Sequence, residues 1–494
     1  MSPVRAPPEI EDSAGTGNAG AVRPAGRAYI AGMTVTMPPP PAAEPPAAEP
    51  PVQVPLATEP LGVLGTFRVA RRNILELIPE IATRQPMVSG KTGVRWHMVM
   101  DPGANRRILR DAVEEYPKSD VTKLILGPAI GDSLFIAEGA HWRWQRRAAA
   151  PAFSARNVAA LAPVMTAAAE RAAGRIAAGA GRAVNLHDEM VAATFEVIAD
   201  VTLSGGTDFD RAAVHRAIDA YIAQTARVSL LDVLGAPTWV PRPARMVSAG
   251  AMRDMKRIAD GAIEARRAAP GDGVPDLLDL LLDAADPETG RRMDTGELRD
   301  NLLTFIVAGH ETTALALAWA LYLCAHDPAV QDRARAEAQA VLGDRPAAAA
   351  DVERLPYIRQ IVDEALRLYP PAGFVSRTAK TADMLCGREI RPGDTVMLPF
   401  YALHRNHLLW PDPHRFDPDR FAPGAKVDRF AYLPFGDGPR ICIGASFAIM
   451  EAVIILATLL ARFRFALVPG RLPKPVLILT LRPEGGVWLR VDRA

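Results

Sequence analysis

Residues 435–444 read FGDGPRICIG, a loop in which three glycines, a proline and an arginine surround one cysteine, Cys442. Glycines at 436, 438 and 444 permit positive φ and close backbone approach, so amide N–H groups can point at the sulfur. A buried thiolate needs such donors, because an unpaired buried charge is costly. A solitary cysteine is a packed thiol, a nucleophile or a metal ligand, and a packed thiol fits this loop poorly.

The two other cysteines suit the role of packed thiols. Cys324 lies in the apolar helical stretch ALAWALYLCAH, and Cys386 lies in a predicted hairpin strand. Three cysteines without a C-x-x-C pair exclude a disulfide framework, a zinc ribbon and a thioredoxin-type redox site. Such cysteine usage is typical of the reducing cytosol, so we expect a cytoplasmic location.

The bulk composition is that of an ordinary globular protein. The chain has 494 residues, 49% of them hydrophobic, and a formal net charge of +1. A charge so close to zero gives no global field for nucleic acid or an anionic membrane. The apolar runs are broken by polar residues and the start lacks a secretory pattern, so the sequence predicts no transmembrane segment.

The first 60 residues differ in composition from the rest. They contain 14 of the 44 prolines and the near-repeat PPAAEPPAAEPP. Such a segment cannot bury a core, so we predict a disordered or extended tail over residues 1–60. Residues 61–494 are predicted to form one folded domain.

Helical periodicity dominates the folded part, which predicts a mainly α fold with small β-sheets. Two hairpins are expected, at 384–400 with Pro-Gly at the turn and at 476–491 with Gly-Gly at the turn. No Rossmann or P-loop glycine pattern is present. The predicted helices cover residues 105–116, 139–150, 155–178, 187–203, 210–227, 246–268, 274–284, 294–326, 328–342, 357–368 and 444–462.

The cysteine loop resembles the signature of the cytochrome P-450 family, the haem-thiolate monooxygenases. The matching positions are Phe435, Gly436, Gly438, Arg440, Cys442 and Gly444. The resemblance covers roughly residues 65–494 and implies the cytochrome P-450 fold as a single haem domain. Further family motifs follow in order: HWRWQRR (141–147), AGHETT (308–313), the Glu364-x-x-Arg367 pair in DEALRLYPP, and FDPDRF (416–421) with Arg420.

The resemblance implies haem b (iron protoporphyrin IX), with Cys442 as axial ligand and sole protein ligand of the iron. Thiolate ligation pushes electron density onto iron and favours O–O cleavage. Phe435 is expected to shield the sulfur. Gly436 and Gly444 belong to the expected cofactor-binding set, because their backbone can approach the sulfur closely.

The haem propionates are expected to bind arginines, whose fork matches a carboxylate. Arg440 and Arg377 stand at family-matching positions. Trp142 and Arg146 are four residues apart and therefore share a helix face. His404 is a weaker candidate, for which a packing role fits equally well.

The stretch 308–313 is predicted to form the dioxygen side of the site. Ala308 is expected above the haem, and Thr312 can bond back to the carbonyl of residue 308. The resemblance implies that Thr312 stabilises the bound oxygen and that Glu311 relays protons from water. His310 is expected to face away from the haem. Glu364, Arg367 and Arg420 are interpreted as a structural charge network.

The expected reaction inserts one atom of O2 into an apolar small molecule, a fatty acid, terpenoid or steroid. Only 52 residues follow Cys442, so electrons must come from a separate ferredoxin or flavodoxin with its reductase. Arg143, Arg147 and Arg156 either form a basic docking face or are scattered surface charges. Two alternatives stay open: a haem-thiolate isomerase, dehydratase or peroxygenase, and a non-enzymatic haem sensor or carrier.

Overall fold

The computed structural model describes residues 49–202, 249–269 and 274–494. The strands are β1 (Met87–Thr92), β2 (Val94–Val99), β3 (Ala183–Asn185), β4 (Val375–Thr378), β5 (Asp383–Leu385), β6 (Arg388–Ile390), β7 (Thr395–Leu398), β8 (Phe463–Leu467), β9 (Lys474–Leu477), β10 (Leu481–Glu484) and β11 (Trp488–Arg493). The helices are α1 (Val63–Arg72), α2 (Pro102–Arg106), α3 (Asp120–Ile130), α4 (Gly139–Ala149), α5 (Ala155–Ala178), α6 (Leu186–Thr202), α7 (Ala249–Ala268), α8 (Leu277–Leu282), α9 (Thr295–His326), α10 (Pro328–Leu342), α11 (Pro356–Leu368), α12 (Phe400–Leu403) and α13 (Ala445–Arg462).

Helix α9 is the centre of the fold. It begins with a capping box, in which Asp294 accepts the Glu297 N–H at 2.8 Å and Glu297 accepts the Asp294 N–H at 3.1 Å. Its apolar residues occur on all sides, as in helices that are buried all round. It packs against α6, α7, α11 and α13. The mainly helical fold predicted from the sequence is confirmed.

Four small sheets lie beside the helices. One has the strand order β1-β2-β7-β4, with β2 and β7 parallel. A second has the order β3-β11-β8, and two antiparallel pairs, β9 with β10 and β5 with β6, complete the set. The sheets position two parts of the site, because β4 carries Arg377 and β10 lies against α9.

Both predicted hairpins are wrong in their pairing. In 384–400 the observed turn lies at Cys386 and Gly387, both with positive φ, and it joins β5 to β6. Cys386 is therefore a turn residue, while β7 pairs with β2 and β4 instead. In 476–491 strand β10 pairs with β9, and β11 pairs with β3 and β8. At Gly-Gly the chain passes from the β9–β10 pair into the sheet that contains β11. The prediction was wrong because local turn signals do not specify which strand will pair.

Most predicted helices agree with the structure to within a few residues. The helix expected at 105–116 is instead the short α2 followed by one π-helical turn at Arg107–Asp111. Helices α1 and α3 were not predicted. The helix expected at 210–227 lies outside the described residues.

Two described helices are long and apolar enough to cross a membrane, Thr295–His326 and Ala445–Arg462. In each, most of the apolar window is buried inside the protein, at 78% and 67%, which is typical of core helices.

Residues 1–48 of the predicted tail lie outside the described residues. Pro50–Ala494 form one compact unit. Its first residues are extended and packed on it: the Val54 N–H donates to the Tyr401 hydroxyl at 3.0 Å, and Ala57 bridges to Pro79. The boundary at residue 60 stays a prediction.

Candidate functional site

The loop before α13 presents Cys442 at the N-terminus of that helix. The Cys442 N–H donates to the Phe435 carbonyl at 2.9 Å, which closes the loop, and Phe435 itself is half-buried. Gly436 and Gly438 have φ of 67° and 70°, a region that favours glycine. The N-terminus of α13 directs partial positive charge towards the sulfur, which stabilises a thiolate.

Gly438 is the position at which the loop tolerates no side chain. A Cβ there would lie 2.1 Å from the Leu109 carbonyl oxygen, whereas a Cβ on Gly436 would meet nothing within 4 Å. We expect Gly436→Ala to cost about 1–2 kcal/mol, the penalty for left-handed backbone. Gly438→Ala should cost clearly more and lower haem retention, as urea unfolding and haem content of the purified variants would show. Equal losses in both variants would contradict this reading of the loop.

Cys442 is exposed. Burial raises the pKa of the thiol, while a hydrogen bond from the Gly444 N–H and the Arg146 charge lower it. A thiolate here therefore requires a further positive partner, which the iron of a haem would supply. By contrast, Cys324 is fully buried, and burial raises its pKa to about 12. A metal-ligand thiolate thus fits Cys442 and does not fit Cys324.

A cluster of positive charge lies on the side of the cysteine loop that faces α4. It consists of Arg440, Arg377 and Lys118. Arg440 forms an ion pair with Glu138, and its guanidinium lies 5.4 Å from the centre of the Trp142 ring. The Arg440 side chain is only 5% exposed. The Lys118 backbone N–H donates to the Glu138 carboxylate at 2.8 Å, so Glu138 joins the two segments. The predicted residues Arg440, Arg377 and Trp142 are thereby brought together.

The cluster carries more positive charge than the described residues neutralise. The Nε atoms of Arg377 and Arg440 are buried without a hydrogen-bond partner in the described part of the chain. Burial lowers the pKa of Arg377 to about 10, and the Arg440 charge adds to this, opposed by Glu138. Burial also lowers the pKa of Lys118 to about 7, with Arg440 as the next cause. Three cations facing one carboxylate fit a ligand that carries further carboxylates, as a porphyrin does.

Lys118 and Glu138 were not identified from the sequence. Glu138 lies four residues before Trp142 and could have been included with that helix. Lys118 has no local signal, because it reaches the cluster through a bridge between its backbone and Arg377. Its ammonium donates to the Leu134 and Ala137 carbonyls at 3.3 and 3.2 Å.

We predict that haem binding at pH 8 gives close to zero net proton exchange, because propionates favour the charged form of Lys118, which takes up about one proton, while thiolate ligation releases about one proton from Cys442. With its pKa at about 7, most Lys118 is neutral at pH 8 in haem-free protein and mostly charged at pH 6. Uptake by Lys118 should therefore shrink at pH 6. Calorimetry in buffers with different ionisation enthalpies measures the net exchange. At pH 8 Lys118→Met should release about one proton more than wild type on binding haem, whereas Lys91→Met, with Lys91 exposed on β1, should match wild type; equal proton exchange in both variants would refute the assignment.

Arg146 lies close enough to Cys442 to interact with its charge, while burial lowers the pKa of Arg146. It is thus placed beside the thiol, and its predicted contact with a propionate stays a prediction. His404 is fully buried, and burial lowers its pKa to about 3. Its Nε2 accepts the Leu433 N–H at 2.9 Å, which favours the packing role for this histidine.

Helix α9 exposes one short strip in an otherwise buried surface. Ala308 is exposed and Thr312 is half-buried, whereas most of their neighbours are buried. The Thr312 hydroxyl donates to the Ala308 carbonyl at 2.8 Å, as the sequence predicted. The helix continues without interruption from Thr295 to His326. His310 packs against Phe195 of α6, at 5.8 Å between ring centres.

Glu311 is buried and bound to residues that the sequence did not indicate. Its Oε1 accepts the Thr480 hydroxyl at 2.6 Å and forms an ion pair with Arg482. Both partners come from the β10 segment, about 170 positions away in the chain. Glu311 is therefore held by a second element as well as by its own helix.

The Glu364–Arg367 pair on α11 is fully buried. Two N–H···O bonds of 2.6 and 2.8 Å join the side chains, and Arg420 Nε lies 3.5 Å from Glu364. Arg367 also donates to the carbonyls of His404, Pro413 and Arg415. These bonds agree with a structural role for the network, and removal of one partner would cost about 3–5 kcal/mol.

Comparisons with known proteins identify the family of this chain. Cyclooctatin synthase from Streptomyces melanosporofaciens is 33% identical over 430 residues, covering 86% of this chain and 93% of that protein. Cyclooctat-9-en-7-ol 5-monooxygenase from the same organism is 35% identical and covers 69% of this chain and 74% of that protein. The crystal structure of the cytochrome P450DA heme domain superposes with a TM-score of 0.74 at 29% identity, covering 87% of this chain and 93% of that one. The sequence model of the family described as Cytochrome P450 matches residues 63–490. The chain therefore belongs to the cytochrome P450 family and is a haem-thiolate monooxygenase by class.

Proposed function

We propose that this enzyme hydroxylates an apolar small molecule with one oxygen atom of O2, using haem b held by Cys442. The observation that carries the proposal is the exposed Cys442 thiol at the N-terminus of α13, beside a buried cluster with excess positive charge. A thiolate-bound haem supplies O–O cleavage. Arg440, Arg377, Trp142 and Lys118 would hold the propionates.

The distal residues divide the remaining work. Thr312 presents its hydroxyl beside the exposed Ala308, where it would stabilise bound oxygen by a hydrogen bond. Glu311 lies one residue earlier, and its carboxylate accepts a hydrogen bond from Thr480 beside β10. From this position it would pass protons towards the groove that the family layout places beside Ala308 and Thr312. A positioned proton donor of this kind contributes about 10²–10⁴-fold to a rate.

An apolar substrate is supported by the exposed part of the site. Ala308 is exposed, and Phe374 and Val375, which the family layout places at the pocket wall, are half-buried. The family layout also places the segments 124–136 and 205–245 at the pocket wall; the first contains most of helix α3, and the second lies outside the described residues. One relative's name describes oxidation of cyclooctat-9-en-7-ol. Fatty acids, terpenoids and steroids are the substrate classes to screen.

We propose a separate ferredoxin or flavodoxin, with its reductase, as the electron donor in the cytoplasm. Two of the arginines expected to form its docking face are engaged in ion pairs, Arg143 with Glu114 and Arg147 with Asp286, each at 2.7 to 2.8 Å. Arg156 is exposed, as is Arg110, whose backbone packs against Gly438 of the cysteine loop. The basic face is thus better supported beside the loop than along α4.

The absorption spectrum of the reduced protein with carbon monoxide tests the proposal. A Soret band at the long-wavelength position of a thiolate adduct supports it, followed by substrate-dependent oxygen consumption with a competent donor. A short-wavelength band from undamaged protein would point to a haem sensor. Turnover with peroxide alone, and indifference to every donor, would point to a peroxygenase.

A further inference from the structure

The hydrogen bonds of Glu311 all fall on one of its two carboxylate oxygens. Thr480 Oγ1 donates to Oε1 at 2.6 Å, and Nε and Nη2 of Arg482 donate to the same atom. Oε2 accepts no hydrogen bond from the described residues. The carboxylate is therefore fixed at one end and has its other oxygen available for a proton.

The side chains of Thr480 and Arg482 form a clamp on Glu311 Oε1, and the clamp is built on a rigid support. Thr480 lies in the bend just before β10 and Arg482 lies within that strand, and both side chains contact the same Glu311 oxygen. Leu481 between them donates its N–H to the Pro371 carbonyl at 2.9 Å and accepts the Trp319 indole N–H at 3.0 Å. Since Trp319 belongs to α9, the strand and the helix that carries Glu311 are fastened together next to the ion pair.

The clamp also joins the buried helix to the surface. The side chain of Glu311 is 7% exposed, whereas that of Arg482 is 34% exposed. His187 at the start of α6 lies close enough to interact with both charges, and its neighbour Asp188 is exposed. The ion pair thus lies between solvent and the groove beside Thr312.

We propose that Arg482, supported by Thr480, is a positioning residue that controls proton delivery from solvent through Glu311 to the groove at Thr312. The inference rests on the proposed monooxygenation, RH + O2 + 2 e⁻ + 2 H⁺ → ROH + H2O, whose electrons come from the separate donor. In this proposal the clamp holds Oε1 and leaves Oε2 to carry the proton. Without the clamp the carboxylate rotates freely, and protons reach the groove out of step with electrons.

The first test compares Arg482→Gln and Thr480→Val with a matched control, Lys474→Gln. Lys474 lies on the neighbouring strand β9 and pairs at 3.5 Å with Glu484, and both side chains are exposed. Arg482→Gln should lower the product formed per electron pair about fivefold or more, and Thr480→Val about twofold, with substrate affinity unchanged. The solvent isotope effect on product formation should rise. Arg482→Lys should restore part of the coupling, and Lys474→Gln should match wild type.

A second measurement does not depend on turnover. The unfolding midpoints of Glu311→Gln, Arg482→Gln and the double variant form a cycle, and a real clamp makes the double shift smaller than the sum of the single shifts. Additive shifts would overturn the clamp. Wild-type coupling and isotope effect in Arg482→Gln would overturn its role in proton delivery. If that variant loses haem, wild-type coupling in Thr480→Val would overturn it equally.

The two proposals fail in different ways. A wild-type protein without the thiolate spectrum, or without oxygen consumption, would sink the proposed function, while the unfolding cycle would still report on the clamp. If wild-type protein couples its electrons to product and Arg482→Gln couples them equally well, only the inference about Arg482 is wrong.

Discussion

Cys442→Ala protein will lose the thiolate signature of its reduced carbon monoxide spectrum and all monooxygenase activity. The reason is that the loop offers the iron one sulfur, supported by the Gly444 N–H and by the N-terminus of α13. Removing the side chain leaves those donors without an anion to stabilise. Ultraviolet-visible spectroscopy and haem content of the purified variant provide the measurement.

Cys324→Ala and Cys386→Ala are the matched controls for this result. Cys324 is fully buried in α9, and Cys386 lies at the turn between β5 and β6, where burial raises its pKa to about 11. Both variants should keep the long-wavelength band. A band that persists in Cys442→Ala and disappears in either control would transfer the ligand assignment to that other cysteine.

Thr312→Ala should bind haem and substrate normally and yet divert electrons to hydrogen peroxide. Its hydroxyl is the one polar side-chain group on the strip formed with Ala308, and loss of a positioned proton-handling group costs about 10²–10⁴-fold. Product and peroxide formed per reduced cofactor, measured together, give the coupling. We expect the coupled fraction to fall at least about tenfold.

Thr312→Ser should restore most of the coupling, since it keeps the hydroxyl. Thr313→Ser tests the neighbouring threonine, which is buried. It should leave coupling unchanged, because Thr313 does not belong to the exposed strip. Normal coupling in Thr312→Ala would move the oxygen-stabilising role to another group.

Features encoded within one continuous segment could be predicted from the sequence. The cysteine loop depends on glycines and a helix start that are neighbours in the chain, and α9 has its capping box and apolar run in one segment. The predicted hairpins failed because Pro-Gly and Gly-Gly specify a bend and not a partner. Strand pairing is decided by packing between distant segments, and neither turn contains that information.

The same distinction separates the predicted site residues from the missed ones. Cys442, Arg440 and Thr312 stand in motifs whose spacing is itself the signal. Lys118 and Arg482 act through segments that the fold brings to the site from far away in the chain, Lys118 beside β4 and Arg482 on β10. Their charge is unremarkable in sequence and becomes informative only when burial and neighbours are known.

Between residues 404 and 433 the chain is mostly irregular, and fixing irregular backbone costs about 1–2 kcal/mol of conformational entropy per residue. The segment is attached to the rest of the chain at several points: Arg367 donates to three of its carbonyls, Glu364 accepts the Asp417 N–H, and the Asn406 amide donates to the carbonyls of Ala82 and Gln85. Segments tied in this way open cooperatively rather than residue by residue. The cysteine loop follows directly in the chain, so we expect the alignment of Cys442 to be gained or lost together with the attachment of this segment.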